Sequence, residues 1–365
     1  MPISTAGIAN SGVAPRAAAE AGLRPVAAWL FFCCGLIFLM VVVGGITRLT
    51  LSGLSITEWK PVIGIVPPLS AADWAAEFAR YQQIPEYRTI HFAMSLDEFK
   101  SIYYWEYVHR LLGRLIGVAF ALPFIWFLAR RRLPWRLAPP LAGILLLGFL
   151  QGALGWYMVE SGLADRVEVS QYRLVAHLAL ALAIYAAILW TALGIVGGSP
   201  GASAGWRRAA DAVLAFVAVT ILAGGFVAGT RAGLTYNTFP LMDGRLLPAG
   251  YDQLQPFYLN WFENIAAVQF DHRALAIATA TGIFVLWAAG VRSRLSKPGR
   301  KALHALLAVA ALQVALGIST LLLVVPIPLA AAHQAGAVLL LTAAIFLRHT
   351  LRGAAVMDAR APATI

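Results

Sequence analysis

Charge is what this chain has least of. Only 12% of its 365 residues are Asp, Glu, Lys or Arg, against about 25% in an ordinary soluble domain. With 60% hydrophobic residues and a mean hydropathy of +0.74, a water-soluble fold is excluded and an integral membrane protein is expected. Cysteine is nearly absent as well: Cys33 and Cys34 are the only two, side by side in the first apolar run. Neighbouring backbone geometry disfavours a disulfide between them, so both read as small core residues. Alternating hydrophobicity is also missing, and continuous apolar runs exclude a β-barrel. The first 25 residues hold no separate apolar core with a cleavage pattern, so they read as a short cytoplasmic tail rather than a removed signal peptide. The lack of a long Arg/Ser-rich leader favours a bacterial inner membrane over a mitochondrial one.

What is there is a series of uncharged runs of roughly 20 residues, enough to cross about 30 Å of hydrocarbon as helix. Eight spans are predicted, near 26–45, 108–129, 138–158, 173–195, 208–229, 271–291, 302–324 and 331–350. An even number puts both termini on one side. Called inside, that side holds 16 of the 28 basic residues and three of the 17 acidic ones. The outside then holds 12 basic and 14 acidic residues, so the two sides carry +13 and −2. The positive-inside rule therefore places both termini in the cytoplasm, and it explains the net charge of +11 without a nucleic-acid partner.

Two outside loops are long, at 46–107 and 230–270. Ser70 with Asp73, and Ser95 with Glu98, form capping-box patterns that open helices. The second of these helices is expected to run from Ser95 straight into the second span. Tryptophans and tyrosines near the membrane surface fit an interfacial anchor.

The chain repeats itself. Glu106-Tyr107-Val108-His109-Arg110 aligns with Gln269-Phe270-Asp271-His272-Arg273 at an offset of 163. Leu150-Gln151-Gly152-Ala153-Leu154-Gly155 matches Leu312-Gln313-Val314-Ala315-Leu316-Gly317, and the segment around His177 matches that around His333. Gly44-Gly45 likewise matches Gly224-Gly225. Four spans followed by four in the same orientation is a parallel repeat with a pseudo-two-fold axis along the membrane normal. The expected architecture is an all-α membrane protein of two tandem four-helix bundles, 26–195 and 208–350. A linker at 196–207 joins them, and tails occupy 1–25 and 351–365.

Of seven histidines, His91 falls in a loop, and His304 and His349 lie near cytoplasmic ends of spans. The other four, His109, His177, His272 and His333, occupy the outer ends of spans two, four, six and eight. Two imidazoles from facing helices of a bundle suit a haem iron, whereas no carboxylate or thiolate completes either pair evenly as a zinc site. Gly113 and Gly117 after His109, and Gly336 after His333, keep parts of the helix faces low. They suit either a flat ligand or close helix contact. Arg110, Arg114 and Arg273 are placed either to meet haem propionates or to snorkel. One place breaks the repeat: Glu106 shares a helical face with His109, and its counterpart is Gln269. An ionisable partner in one half only fits chemistry in that half.

At these residues the sequence resembles haem A synthase of the proteobacterial and mitochondrial branch, over about 26–350. The resemblance takes in Gly44-Gly45-Ile46-Thr47-Arg48-Leu49-Thr50, Ser52-Gly53-Leu54-Ser55, Trp59-Lys60-Pro61 and Pro67-Pro68. It continues through Glu106 to Arg110, Gly233 to Gly244 and the four histidines. It implies oxidation of the ring position-8 methyl of haem O to the formyl of haem A, the cofactor of cytochrome oxidases. It also implies a substrate site with Glu106, His109 and His177 in the first half, and haem b between His272 and His333 in the second. Some bacterial members carry a cysteine pair in the first outside loop; this loop has none, which argues against a thiol-based electron route. Implied partners are haem O, the enzyme that makes it, membrane lipid and an electron donor that the sequence does not name; a homo-oligomer stays open. The alternative is a two-haem membrane cytochrome exchanging electrons with quinol, which explains the histidines but not the exchange of Glu106 for Gln269.

Overall fold

A computed structural model describes residues 13–59, 63–163, 167–197 and 201–352. Lys60 and Pro61 of the first loop motif, and most of both tails, lie outside the described residues. Helices α1 Val13–Leu49, α2 Ala71–Tyr81, α3 Pro85–Thr89, α4 Leu96–Ala129, α5 Ala138–Leu163 and α6 Gln171–Val196 make the first half. The second half contains α7 Ala204–Thr230, α8 Asn260–Glu263, α9 Ile265–Val291, α10 Lys297–Leu322 and α11 Ile327–Leu351. No strand occurs among the described residues. Eight helices are long and apolar enough to cross a membrane, all except α2, α3 and α8.

Local chemistry sets where these helices start. Ser70 and Ser95 each accept from the backbone N–H three residues on, while Asp73 and Glu98 reach back to the cap, completing the two predicted capping boxes. The helix from Ser95 does run unbroken into the second span, for 34 residues. Asn264 caps α9 by accepting from Ala266 and Ala267. At the N-terminus α1 begins 13 residues before the predicted span, because the Ala-rich stretch around Ala17 to Ala19 is a strong helix former that need not be in lipid.

The packing order is the same in both halves. Helix α1 touches α4 and α6, and α5 touches the same two; α7 touches α9 and α11, and α10 touches those two. Between the halves α6 meets α7 and α11, while α1 meets α11. Exchanging α1 with α7 and α6 with α11 leaves this pattern unchanged, consistent with the pseudo-two-fold relation. Glycines bring the central helices close. A Cβ on Gly225 would lie 3.0 Å from Val175 and 3.3 Å from Leu178, and one on Gly45 would overlap the Gln334 amide, which donates to Val41 O at 2.8 Å. At the outer ends Glu168 joins the halves, 2.7 Å from Arg48 and 2.6 Å from Arg231.

The first outside loop is a folded cap with a core of its own. Leu54, Trp74, Tyr81, Ile84, Phe99, Ile102 and Tyr103 are buried together, and the Trp74 and Tyr103 rings sit 5.0 Å apart. Many of the aromatics that suggested interfacial anchors therefore fill this core, so packing as well as lipid explains their number. Tyr81 Oη and His91 Nδ1 share a hydrogen bond; burial pushes the phenol up and the imidazole down, so the pair stays neutral.

Also inside the cap, Glu86 is 3% exposed with one carboxylate oxygen unpartnered. Burial, helped by the charges of Glu106 and Glu168 and opposed by Arg48 and Arg231, pushes its carboxyl up to about 8. Between its ordinary value of 4.5 and about 8 the folded chain keeps a proton that the unfolded chain has released. Stability therefore falls as pH rises through that window. Glu86→Gln is expected to flatten this decline. Thermal midpoints measured at pH 5 and pH 8 check it, and equal pH slopes for both proteins would refute a neutral Glu86.

Candidate functional site

Each of the four predicted histidines rests on a glycine of a neighbouring helix. A Cβ on Gly44 of α1 would lie 3.3 Å from His109 Nε2, and one on Gly155 of α5 would lie 2.9 Å from His177 Cε1. In the second half Gly224 of α7 faces His272 at 3.0 Å, and Gly317 of α10 faces His333 at 2.8 Å. These glycines are repeat partners, so the sequence repeat is one arrangement built twice: two imidazoles, each packed where a neighbouring helix has no side chain. Each pair belongs to one bundle, with His109 on α4 and His177 on α6, and His272 on α9 and His333 on α11. His272 Nδ1 lies 3.1 Å from Thr220 O. A carbonyl only accepts, so Nδ1 carries the proton and Nε2 is left with a lone pair for a metal.

Beside each pair an arginine fastens the preceding loop. Glu106 is 2% exposed. One of its oxygens accepts from Ser55 Oγ and Ile56 N, both at 2.8 Å; the other accepts from Arg110 Nε and Nη2 at 3.0 and 2.6 Å. Four donors fill the four lone-pair directions of a carboxylate. Arg110 also donates to Ile56 O. In the second half Gln269 Nε2 donates to Ala232 O and Thr235 O, while Arg273 donates to Gln269 Oε1, Tyr236 O and Thr238 O. Glutamate thus faces backbone and hydroxyl donors where glutamine faces backbone acceptors. The break in the repeat has a structural reason in addition to any chemical one.

Residues 27–345, which enclose all four histidines and both clamps, match the model of a family described as cytochrome oxidase assembly protein. The chain belongs to that family. A relative from Nitrosospira multiformis is 54% identical over 334 residues, covering 90% of this chain and 94% of its own. One from Nitrosomonas eutropha is 51% identical, with 88% and 92% covered, and one from Rhodospirillum centenum 52% identical, with 95% and 91% covered. All three carry the name "Heme A synthase".

Other expected site residues of this family member lie as follows. Arg114 and Arg110 line an outward cavity of about 450 Å³ with Tyr103, Tyr107, Ile56 and Glu58. A Cβ on Gly113 would meet Met40 at 3.2 Å, and Gly117 faces open space. Gly336 does not make room for a flat ligand: the Gln313 amide fills the place, 2.2 Å from where its Cβ would be. Gln313 Nε2 donates to His333 O at 3.0 Å, as Gln151 Nε2 does to His177 O at 3.0 Å. These two glutamines, and the four cradling glycines, were not singled out as site residues from sequence, although each lies inside a repeated segment. His304 accepts from Trp287 Nε1, and His349 packs edge-on to Trp190, so neither joins the pairs.

Proposed function

We propose that the protein is a haem A synthase of a bacterial inner membrane, with both termini in the cytoplasm. The observation that carries this is the doubled pair of glycine-cradled histidines with a buried carboxylate beside one pair only. His109 and His177 hold the substrate, haem O, in the first bundle. His272 and His333 hold haem b in the second, and its iron supplies one-electron transfer. The residues fit such a group: each bundle holds two imidazoles that rest on a glycine, and the His272 tautomer already presents Nε2. Arg114 and Arg110, on the cavity beside α4, receive the propionates of the substrate, and Arg273 does so in the second half while holding its loop.

In the reaction the position-8 methyl becomes a formyl group by two successive hydroxylations and loss of water from the geminal diol; each hydroxylation puts one oxygen atom of dioxygen on the carbon, and the other leaves as water with two protons and two electrons from the electron donor. Glu106 has no free lone pair with which to orient water. Its contribution is to fix loop residues 55–58 above the substrate and to set the charge near the methyl carbon. Haem O arrives from the enzyme that makes it, and its lipophilic tail lies toward membrane lipid.

The test is chromatographic identification of haems extracted from protein produced with and without haem O supply. Haem b together with haem O or haem A supports the assignment. Two haem b per chain even with haem O available would make the protein an electron carrier instead. A second check is steric. Gly317→Val puts a branched side chain where even a Cβ lies 2.8 Å from His333 Cε1, and it is expected to cut haem b content by more than half in the haemochrome spectrum while leaving haem O binding intact. Normal haem b content in that variant would mean the cradle does not set the ligand.

A further inference from the structure

Three of the four histidines have a visible Nδ1 environment, and the three differ. Beside His272, the acceptor Thr220 O at 3.1 Å holds the proton on Nδ1. For His333, Nδ1 makes no full hydrogen bond, the Gln313 main chain lies near the ring, and the Gln313 side-chain amide reaches only the His333 carbonyl. His177 has the Gln151 amide nitrogen 3.2 Å from Nδ1 and 3.0 Å from its own carbonyl oxygen. That carbonyl fixes which way round the amide lies, since the flipped form would set two oxygens face to face. An amide nitrogen only donates, so Nδ1 of His177 accepts and the ring proton sits on Nε2. To bind iron through Nε2, the ring must move that proton to Nδ1, where it meets the amide N–H head on.

We propose that Gln151 is a positioning residue that makes His177 the displaceable ligand of the substrate haem, so that a coordination position opens in the first half and not in the second. This rests on the assignment of His109 and His177 to haem O. The two halves then carry the same four imidazoles in different chemical settings: His272 is set to ligate, His333 is unopposed, and only His177 works against an existing hydrogen bond. The difference lies in how one repeated glutamine side chain is aimed. Gln313 spends its amide oxygen end in the gap left by Gly336, whereas the N-terminal counterpart of Gly336 is Leu180, which has no such gap to offer.

The experiment uses the full chain purified with haem O, reduced and titrated with carbon monoxide, with the spin state read by absorption and electron paramagnetic resonance. Gln151→Glu, protonated in this setting, donates to His177 O and accepts the Nδ1 proton, so it should strengthen the iron bond. It is expected to raise the low-spin fraction and weaken carbon monoxide binding by roughly tenfold, the scale of one hydrogen bond gained or lost. Gln151→Leu, which only removes the donor, should shift both readouts the same way by less and serves if the glutamate variant fails to fold. Gln313→Glu should leave carbon monoxide binding unchanged. If His177→Ala alters spin state and carbon monoxide binding while both Gln151 variants match the parent, the inference is overturned and the ligand assignment stands. If His177→Ala also changes neither, the ligand assignment falls and the inference with it.

Discussion

With His272 replaced by alanine, the purified protein is expected to lose essentially all of its haem b while still taking up haem O. The ring has its tautomer fixed by a full hydrogen bond to a backbone carbonyl, Thr220 O at 3.1 Å, which prepares it as a ligand. His333 would then be the single imidazole left of that pair. Haem retained through a single axial bond would show high-spin iron and dissociate in detergent. Extracted haem content per chain is the measurement, and undiminished haem b would remove His272 from the ligand set. Because α9 packs in the second bundle and touches α7 and α10 rather than α4, the substrate pair should survive the change.

Replacing Glu106 by leucine is expected to destabilise the protein by about 3–5 kcal/mol, the scale of breaking a buried ion pair from one side. Four donors, on Ser55, Ile56 and Arg110, would lose their acceptor at a site that is 2% exposed. Glu106→Gln is milder but not silent. It would set an amide N–H against Ile56 N–H, although the same glutamine suits the second half, where carbonyls wait for it. In the glutamine variant haem A output should fall sharply with haem b content unchanged. Thermal unfolding in detergent separates the two effects: full haem A output together with normal stability would deny Glu106 any part in the reaction.

The eight spans were legible because their composition is extreme, and the histidine pairs because a repeat kept them in register. The capping boxes at Ser70 and Ser95 were legible because each is a contact between residues three apart. Arg110 and Arg273 were not, since their main-chain partners lie 35 to 54 residues away and depend on the path of a loop. Gly336 shows the same limit from the other side. Its lack of a side chain signalled a vacancy, but only the structure shows that Gln313 from the next helix fills it. The aromatic cap escaped notice because its core is assembled from three separate stretches whose aromatics resemble membrane-surface anchors when read singly.

The two Gly-Gly pairs have a consequence for the molecule as a whole. Consecutive residues of a helix point about 100° apart, so one dipeptide addresses two neighbours. Gly44 backs onto His109 of its own half, while Gly45 meets Gln334, the residue after His333 in the other half. Gly224 backs onto His272, and Gly225 meets Leu178, the residue after His177. Sliding one half past the other would press on a histidine ring through a single peptide unit. The spacing between the two histidine pairs is therefore set by the width of a glycine rather than by a hinge, and a substitution at either Gly-Gly pair bears on both halves at once.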